Sequence, residues 1–212
     1  MPLDFSLVRE LDSPTMWFSL PRDLESRLTL LPEVQARALA AIHFAFKVTI
    51  DRDHLGTTEA HETVIREAYL RAALAEFASL DEAADKDFEQ LPLAGQAPRQ
   101  ALSLNPLVHA FRLLRHLNTH LSRSSFTVNS RRASIELGNQ IHEVDYHLWL
   151  VNGFSASALG SLRNARYYAP SELDALAEWF NAEQREWGAP HMLLLATRCY
   201  CEQLVACLPS AV

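Results

Sequence analysis

Between Asn105 and Arg123 the chain reads NPLVHAFRLLRHLNTHLSR. His109, Arg112, His116, His120 and Arg123 recur there at steps of three and four residues, and Arg115 stands directly before His116. Imidazole is the side chain that exchanges protons near neutrality. Guanidinium carries a fixed charge in a planar fork that matches phosphate. Cleaving RNA by attack of its own 2′-OH needs a base for that hydroxyl, an acid for the leaving oxygen and positive charge at phosphorus. Those are the groups this stretch supplies.

The same stretch predicts the element that must hold them. Asn105 can cap a helix that opens on Pro106, where proline loses nothing. At about 100° per residue, Leu107, Phe111, Leu114 and Leu121 share one face. The three histidines, Arg112 and Arg123 fall nearly opposite, with Arg115 on the flank. Asn118 lies on the apolar side, where a buried hydrogen bond that fixes a neighbour is expected. Arg115 and His120 diverge by roughly 140° on a regular helix. Their convergence therefore needs a second copy across a two-fold axis, or a distorted helix end.

Arg115-His116-Leu117-Asn118-Thr119-His120 resembles the RX4–6H motif of the HEPN superfamily, helical-bundle proteins that include many RNA-cleaving toxins and defence proteins. A polar residue often follows the arginine in that motif, and His116 fits the habit. The resemblance implies a metal-independent endoribonuclease without a cofactor, acting as a homodimer whose two motifs face one cleft. Arg115 would hold the scissile phosphate, His120 would transfer the proton and His116 would support them. Arg112 and Arg123 on the same front are candidate RNA-phosphate contacts, with His109 and Asn118 as supporting groups. RNA would be the substrate, and an antitoxin or defence-system protein a further partner. The alternative is a HEPN-like helical binding or regulatory protein without catalysis.

A metal site is a rival use of these residues. His116 and His120 stand four apart, and a third ligand could come from His142, Glu143, Asp145 or His147. His142-Glu143-Val144-Asp145-Tyr146-His147 has one residue too many for HExxH, which takes its two histidines off a common face. No glycine-rich phosphate loop and no GxSxG elbow is present. Gly160-Ser161-Leu162-Arg163, near Arg166, could open a phosphate-contacting helix or form a packing turn. Arg123, Arg131, Arg132, Arg163 and Arg166 could line an RNA path or solvate loops.

The totals bound the class. The chain has 212 residues, 49% of them hydrophobic, enough for one domain with a substantial core. A net charge of −7 argues against a sequence-indifferent nucleic-acid coat but leaves room for a local basic cleft. Cys199, Cys201 and Cys207 have no framework spacing and read as small core residues in a reducing compartment. The opening residues carry Asp4, Glu10 and Asp12 and no basic start before an apolar run, unlike a signal peptide. No run is long enough to span a bilayer. A cytoplasmic protein without membrane contact is expected.

Periodicity predicts an irregular arm over 1–28, with its aromatics packed on the body, and a helix over 32–48. A second helix follows over about 58–85, supported by Glu62–Arg66 and Glu67–Arg71 pairs, then a loop over 85–99. Phe126–Val128 and Ile135–Leu137 alternate before Gly138-Asn139, which suits a hairpin, and 141–151 fits helix and strand equally. A short helix fits within 152–169. Ser171 and Asp174 resemble a capping box before a helix to Trp187, and a last helix covers about 191–207. Trp149, Trp179 and Trp187 read as core anchors. The sum is an all-α, single-domain bundle of about five long helices to which a small β-hairpin could be attached.

Overall fold

The computed structural model describes residues 3–12, 19–50, 59–91, 95–120, 126–137 and 140–208. Among them the fold is a helical bundle with one antiparallel hairpin. The helices are α1 (Arg22–Leu28), α2 (Pro32–Ile50), α3 (Glu59–Ala78), α4 (Leu80–Glu89) and α5 (Pro106–His120), then α6 (Ala156–Gly160), α7 (Pro170–Trp187) and α8 (Ala189–Ala206). Strands β1 (Phe126–Leu137) and β2 (Gln140–Val151) stand between α5 and α6. The five long helices expected are α2, α3, α5, α7 and α8. No helix among the described residues is long and apolar enough to cross a membrane.

The predicted second helix is two. Ser79 turns its hydroxyl back onto the Ala75 carbonyl at 2.9 Å, a bond that competes with regular helix geometry, and α4 starts at the next residue. α4 then runs to Glu89, past the expected loop start, because tertiary contacts hold its last turn. Phe88 is buried, and the buried Asp87 carboxylate accepts from the free N–H groups of Val34 at 2.9 Å and Glu33 at 3.3 Å. α4 thus caps α2 in trans, where the helix dipole favours negative charge. The N-terminal arm is also more ordered than expected, with a 3₁₀ turn over Phe5–Asp12 and α1. Phe5 meets Trp179 edge-on at 5.7 Å, while Trp17 and Phe18 lie outside the described residues.

α5 is the axis of the bundle, packed by α3, α7 and α8. Asn105 caps it as predicted, accepting from the Leu107 N–H at 2.9 Å. An edge-to-face chain of rings crosses it, from Phe77 on α3 through Phe111 to Phe180 on α7. Such pairs add to burial by about 0.5–1.5 kcal/mol each.

The hairpin is longer than the short insert expected, and the segment of double meaning over 141–151 is strand. Leu137 pairs with Gln140, so Gly138 and Asn139 are the two residues between the strands, outside the described residues. Its base is built into the body. Gln184 of α7 accepts from the Val151 N–H at 2.8 Å and donates to the Val151 carbonyl at 3.1 Å, acting as a further strand would. Trp149 is buried beneath the guanidinium of Arg66, 4.5 Å from the ring centroid. Arg66 is itself buried, bonded to Glu62 and to the Val48 carbonyl at the end of α2. The expected Glu62–Arg66 pair is therefore a core feature rather than surface decoration.

α7 opens at Pro170, and the expected capping box at Ser171 and Asp174 does not form. Glu172 instead accepts from the Ala169 N–H at 2.7 Å. α7 and α8 meet at Gly188, whose φ of 76° and ψ of 145° suit glycine alone; an added Cβ would sit 3.4 Å from Leu148 Cδ2. Of the cysteines, Cys201 is buried, its thiol pushed by desolvation to about 12, whereas Cys207 is exposed and not a core residue.

Gly188→Ala is expected to destabilise the fold by about 1–3 kcal/mol, through backbone strain at a positive φ. Gly160→Ala, with nothing near its added Cβ and no positive φ, should change stability by less than about 1 kcal/mol. Urea unfolding of the two variants checks both.

Candidate functional site

Of the thirteen α5 residues whose burial is described, nine are buried and four, Arg112, Arg115, His116 and Asn118, are half-buried. Leu107, Val108, Ala110, Phe111, Leu113, Leu114 and Leu117 are core, and so is His109 at 5% exposure. Of the front expected to face solvent, His109 and His116 are instead roofed by the segment after α6, a 3₁₀ turn over Arg163–Tyr167 followed by Tyr168. Polar groups on such a helix need specific partners, and the roof supplies them.

His109 is the clearest case. Its Nε2 lies 2.6 Å from the Ser103 carbonyl and its Nδ1 lies 2.5 Å from the Tyr168 hydroxyl. A carbonyl can only accept, so Nε2 carries the proton, and the Tyr168 hydroxyl donates to Nδ1. Desolvation holds the His109 pKa below its ordinary value, helped by the Arg112 charge and opposed by the bond to Ser103. Burial pushes the Tyr168 phenol up. Both ring nitrogens of His109 are committed, so it can be neither ligand nor proton carrier. It is a structural pin between α5 and the roof.

One turn and more along α5, His116 and Arg115 are half-buried. Asn164 of the roof bonds His116 Nε2 at 2.8 Å, which fixes the ring. Asn118 does not reach a neighbour as expected. Its Nδ2 donates to Leu114 O of its own helix at 3.1 Å, and its Oδ1 is buried with no partner among the described residues. The helix stays regular through His120, so the Cα positions of Arg115 and His120 remain about 140° apart around its axis. Among the described residues, up to His120, no distortion joins them within one chain. The His120 side chain and all of Arg123 lie outside the described residues.

The rest of the predicted set divides in two. Arg131 makes two bonds to Glu186, at 2.8 and 2.9 Å, and Arg132 pairs with Glu143 at 3.4 Å, so both serve the hairpin. His147 Nδ1 lies 3.0 Å from Ser130 Oγ across the strands. Of the residues weighed as a third metal ligand, Glu143 and His147 are therefore engaged within the hairpin. No group of three metal-ligating side chains occurs among the described residues.

Arg163 and Arg166 stand exposed beside Tyr167, with no carboxylate in salt-bridge distance among the described residues. Gly160 closes α6, and the run over 160–163 turns into the 3₁₀ helix that opens at Arg163. Sequence reasoning missed Asn164, Tyr167 and Tyr168. Their signal was the run Arg163-Asn-Ala-Arg166-Tyr-Tyr168, aromatics set among arginines.

Comparison with protein-family models, with curated proteins and with solved structures finds no match for this chain.

Because His109 folds neutral, its sign is fixed. Above its unfolded pKa, near 6.5, both states are neutral; below it the unfolded chain takes up a proton that the folded chain resists. Stability should therefore fall as pH drops from about 7 toward 5, by at most about 1.4 kcal/mol per pH unit for each such histidine. His191 is pushed the same way by burial. His109→Gln should flatten the slope without abolishing it, in melting temperatures recorded across that range.

Proposed function

We propose that the chain is an endoribonuclease of the HEPN type, cleaving RNA by 2′-OH attack without a metal. In this reading Arg115 holds the scissile phosphate, His120 moves the proton, and a second copy of the chain completes the site. Arg112 adds charge for the RNA backbone. The observation that carries the reading is the change in environment along α5: its first six residues are sealed in the core, and Arg112, Arg115 and His116 beyond them are half-buried, within reach of solvent.

The His116–Asn164 bond supports the assigned role of His116 as an orienting group, because it fixes one ring nitrogen while leaving the residue half-buried. The regularity of α5 gives the dimer its purpose: with roughly 140° between the two positions, a guanidinium from one copy and an imidazole from the other meet more readily than a pair from one chain. Preorganised charge at the phosphorane then lowers the barrier, and the imidazole serves as acid or base near neutral pH.

The same divergence also favours a second reading, a helical binding or regulatory protein without catalysis that works with an antitoxin or defence-system partner.

Purified protein incubated with labelled RNA and EDTA separates the readings. Cleavage that survives chelation, and falls at least about 100-fold in His120→Ala and in Arg115→Ala, is the expected result. Absence of cleavage under every condition supports the binding protein, and loss of cleavage on chelation supports a metal site.

A further inference from the structure

Two arginines stand together on an acidic molecule. Arg163 and Arg166 are three apart on a 3₁₀ turn, which has three residues per turn, so they stand in line on one side. The Tyr167 hydroxyl beside them is held below the usual phenol range, first by the hydrogen bond from Arg166 and then by the nearby arginine charges. Arg37, Arg71, Arg99 and Arg198 are matched with Glu76, Glu67, Asp85 and Glu202. Among the described residues Arg163 and Arg166, like the separate Arg22, Arg27 and Arg185, have no carboxylate within salt-bridge distance, but only Arg163 and Arg166 stand side by side. Gathering like charges without counter-ions opposes folding, so an anion is the natural complement.

The second observation is Tyr167. It is 61% exposed, a large apolar ring left in water. The Arg166 guanidinium lies over the ring, 4.9 Å from its centroid, and Arg166 Nη2 donates to the hydroxyl at 2.7 Å. The ring is thus held in place, with much of its surface uncovered. An open groove of about 560 Å³ lies against the same turn, lined by Arg163, Arg166 and Tyr168 together with Leu162 and Leu173, with Asp174 on its wall; the Tyr167 ring stands outside its lining. Two arginines outnumber one acid there.

We infer that Arg163, Arg166 and Tyr167 form a docking subsite for single-stranded nucleic acid, with phosphates on the arginines and one base stacked on the tyrosine ring. A free inorganic phosphate would use the arginines and leave the ring idle. A duplex would keep its bases stacked inside. Only an unpaired strand uses both features at once. The choice of RNA over DNA rests on the endoribonuclease reading above. Because the roof is pinned to α5 by His109 and Asn164, the subsite has a fixed position relative to Arg115 and His116.

Fluorescence anisotropy with a 2′-O-methyl oligouridine, which cannot be cleaved by 2′-OH attack, tests the inference on the full chain. The double variant Arg163→Glu/Arg166→Glu should bind at least about tenfold more weakly, with a flatter salt dependence, because two phosphate contacts are lost. Tyr167→Ala should bind about five- to a hundredfold more weakly with the salt dependence unchanged, because it loses stacking alone. Arg185→Glu, an exposed charge change on α7, should bind within about twofold of the wild type. Equal melting temperatures of the variants exclude unfolding as the cause. Wild-type binding in the double variant overturns the subsite, as does binding of anionic-lipid vesicles in preference to the oligonucleotide. Binding by the wild type that depends on these residues, alongside no cleavage of ordinary RNA, upholds the subsite and removes the nuclease reading.

Discussion

A neutral histidine buried in the first turn of α5 must have both ring nitrogens bonded, and the geometry around His109 follows from that requirement. An unpaired buried nitrogen costs about 1–3 kcal/mol, a large part of a small domain's stability. Ser103 answers from before α5 and Tyr168 from after α6, so one imidazole ties together segments far apart in the chain. α5 can be buried on nearly all sides because these ties exist. Without them its polar face would demand water.

The pin also sets where charge ends up. By fastening the 163–168 segment over α5, it fixes where Arg163 and Arg166 stand, and brings Asn164 to His116. A chain with a net charge of −7 thereby gains a local positive surface that its totals do not suggest. The hairpin is held independently, by the Gln184 amide paired with Val151 and by the Arg66 guanidinium above Trp149.

Helix length and type were legible wherever the apolar period was strong, as in 32–48 and in the α5 stretch with its Asn105 cap. The five long helices follow from that. The break at Ser79 was not legible, because a serine tolerated in a helix differs from one that ends it only in where its hydroxyl turns. The extension of α4 rests on Asp87 capping another helix, a contact of long range. The face of α5 was misjudged for a related reason. Histidine and arginine score as polar, and a helical wheel cannot see a tyrosine from another element that makes a histidine a core residue. Arg131 and Arg132 were ambiguous between RNA contact and surface, and only the positions of Glu186 and Glu143 decide it.

The central claim is that an arginine from one copy and a histidine from the other make the working site. Mixing Arg115→Ala with His120→Ala, each inactive alone, tests it most directly. Mixed dimers then hold one intact pair and one empty pair, so the mixture should regain about a quarter of the wild-type RNA-cleaving rate. A mixture as inactive as its parts would contradict the shared site, and with it the account of why α5 ends as it does.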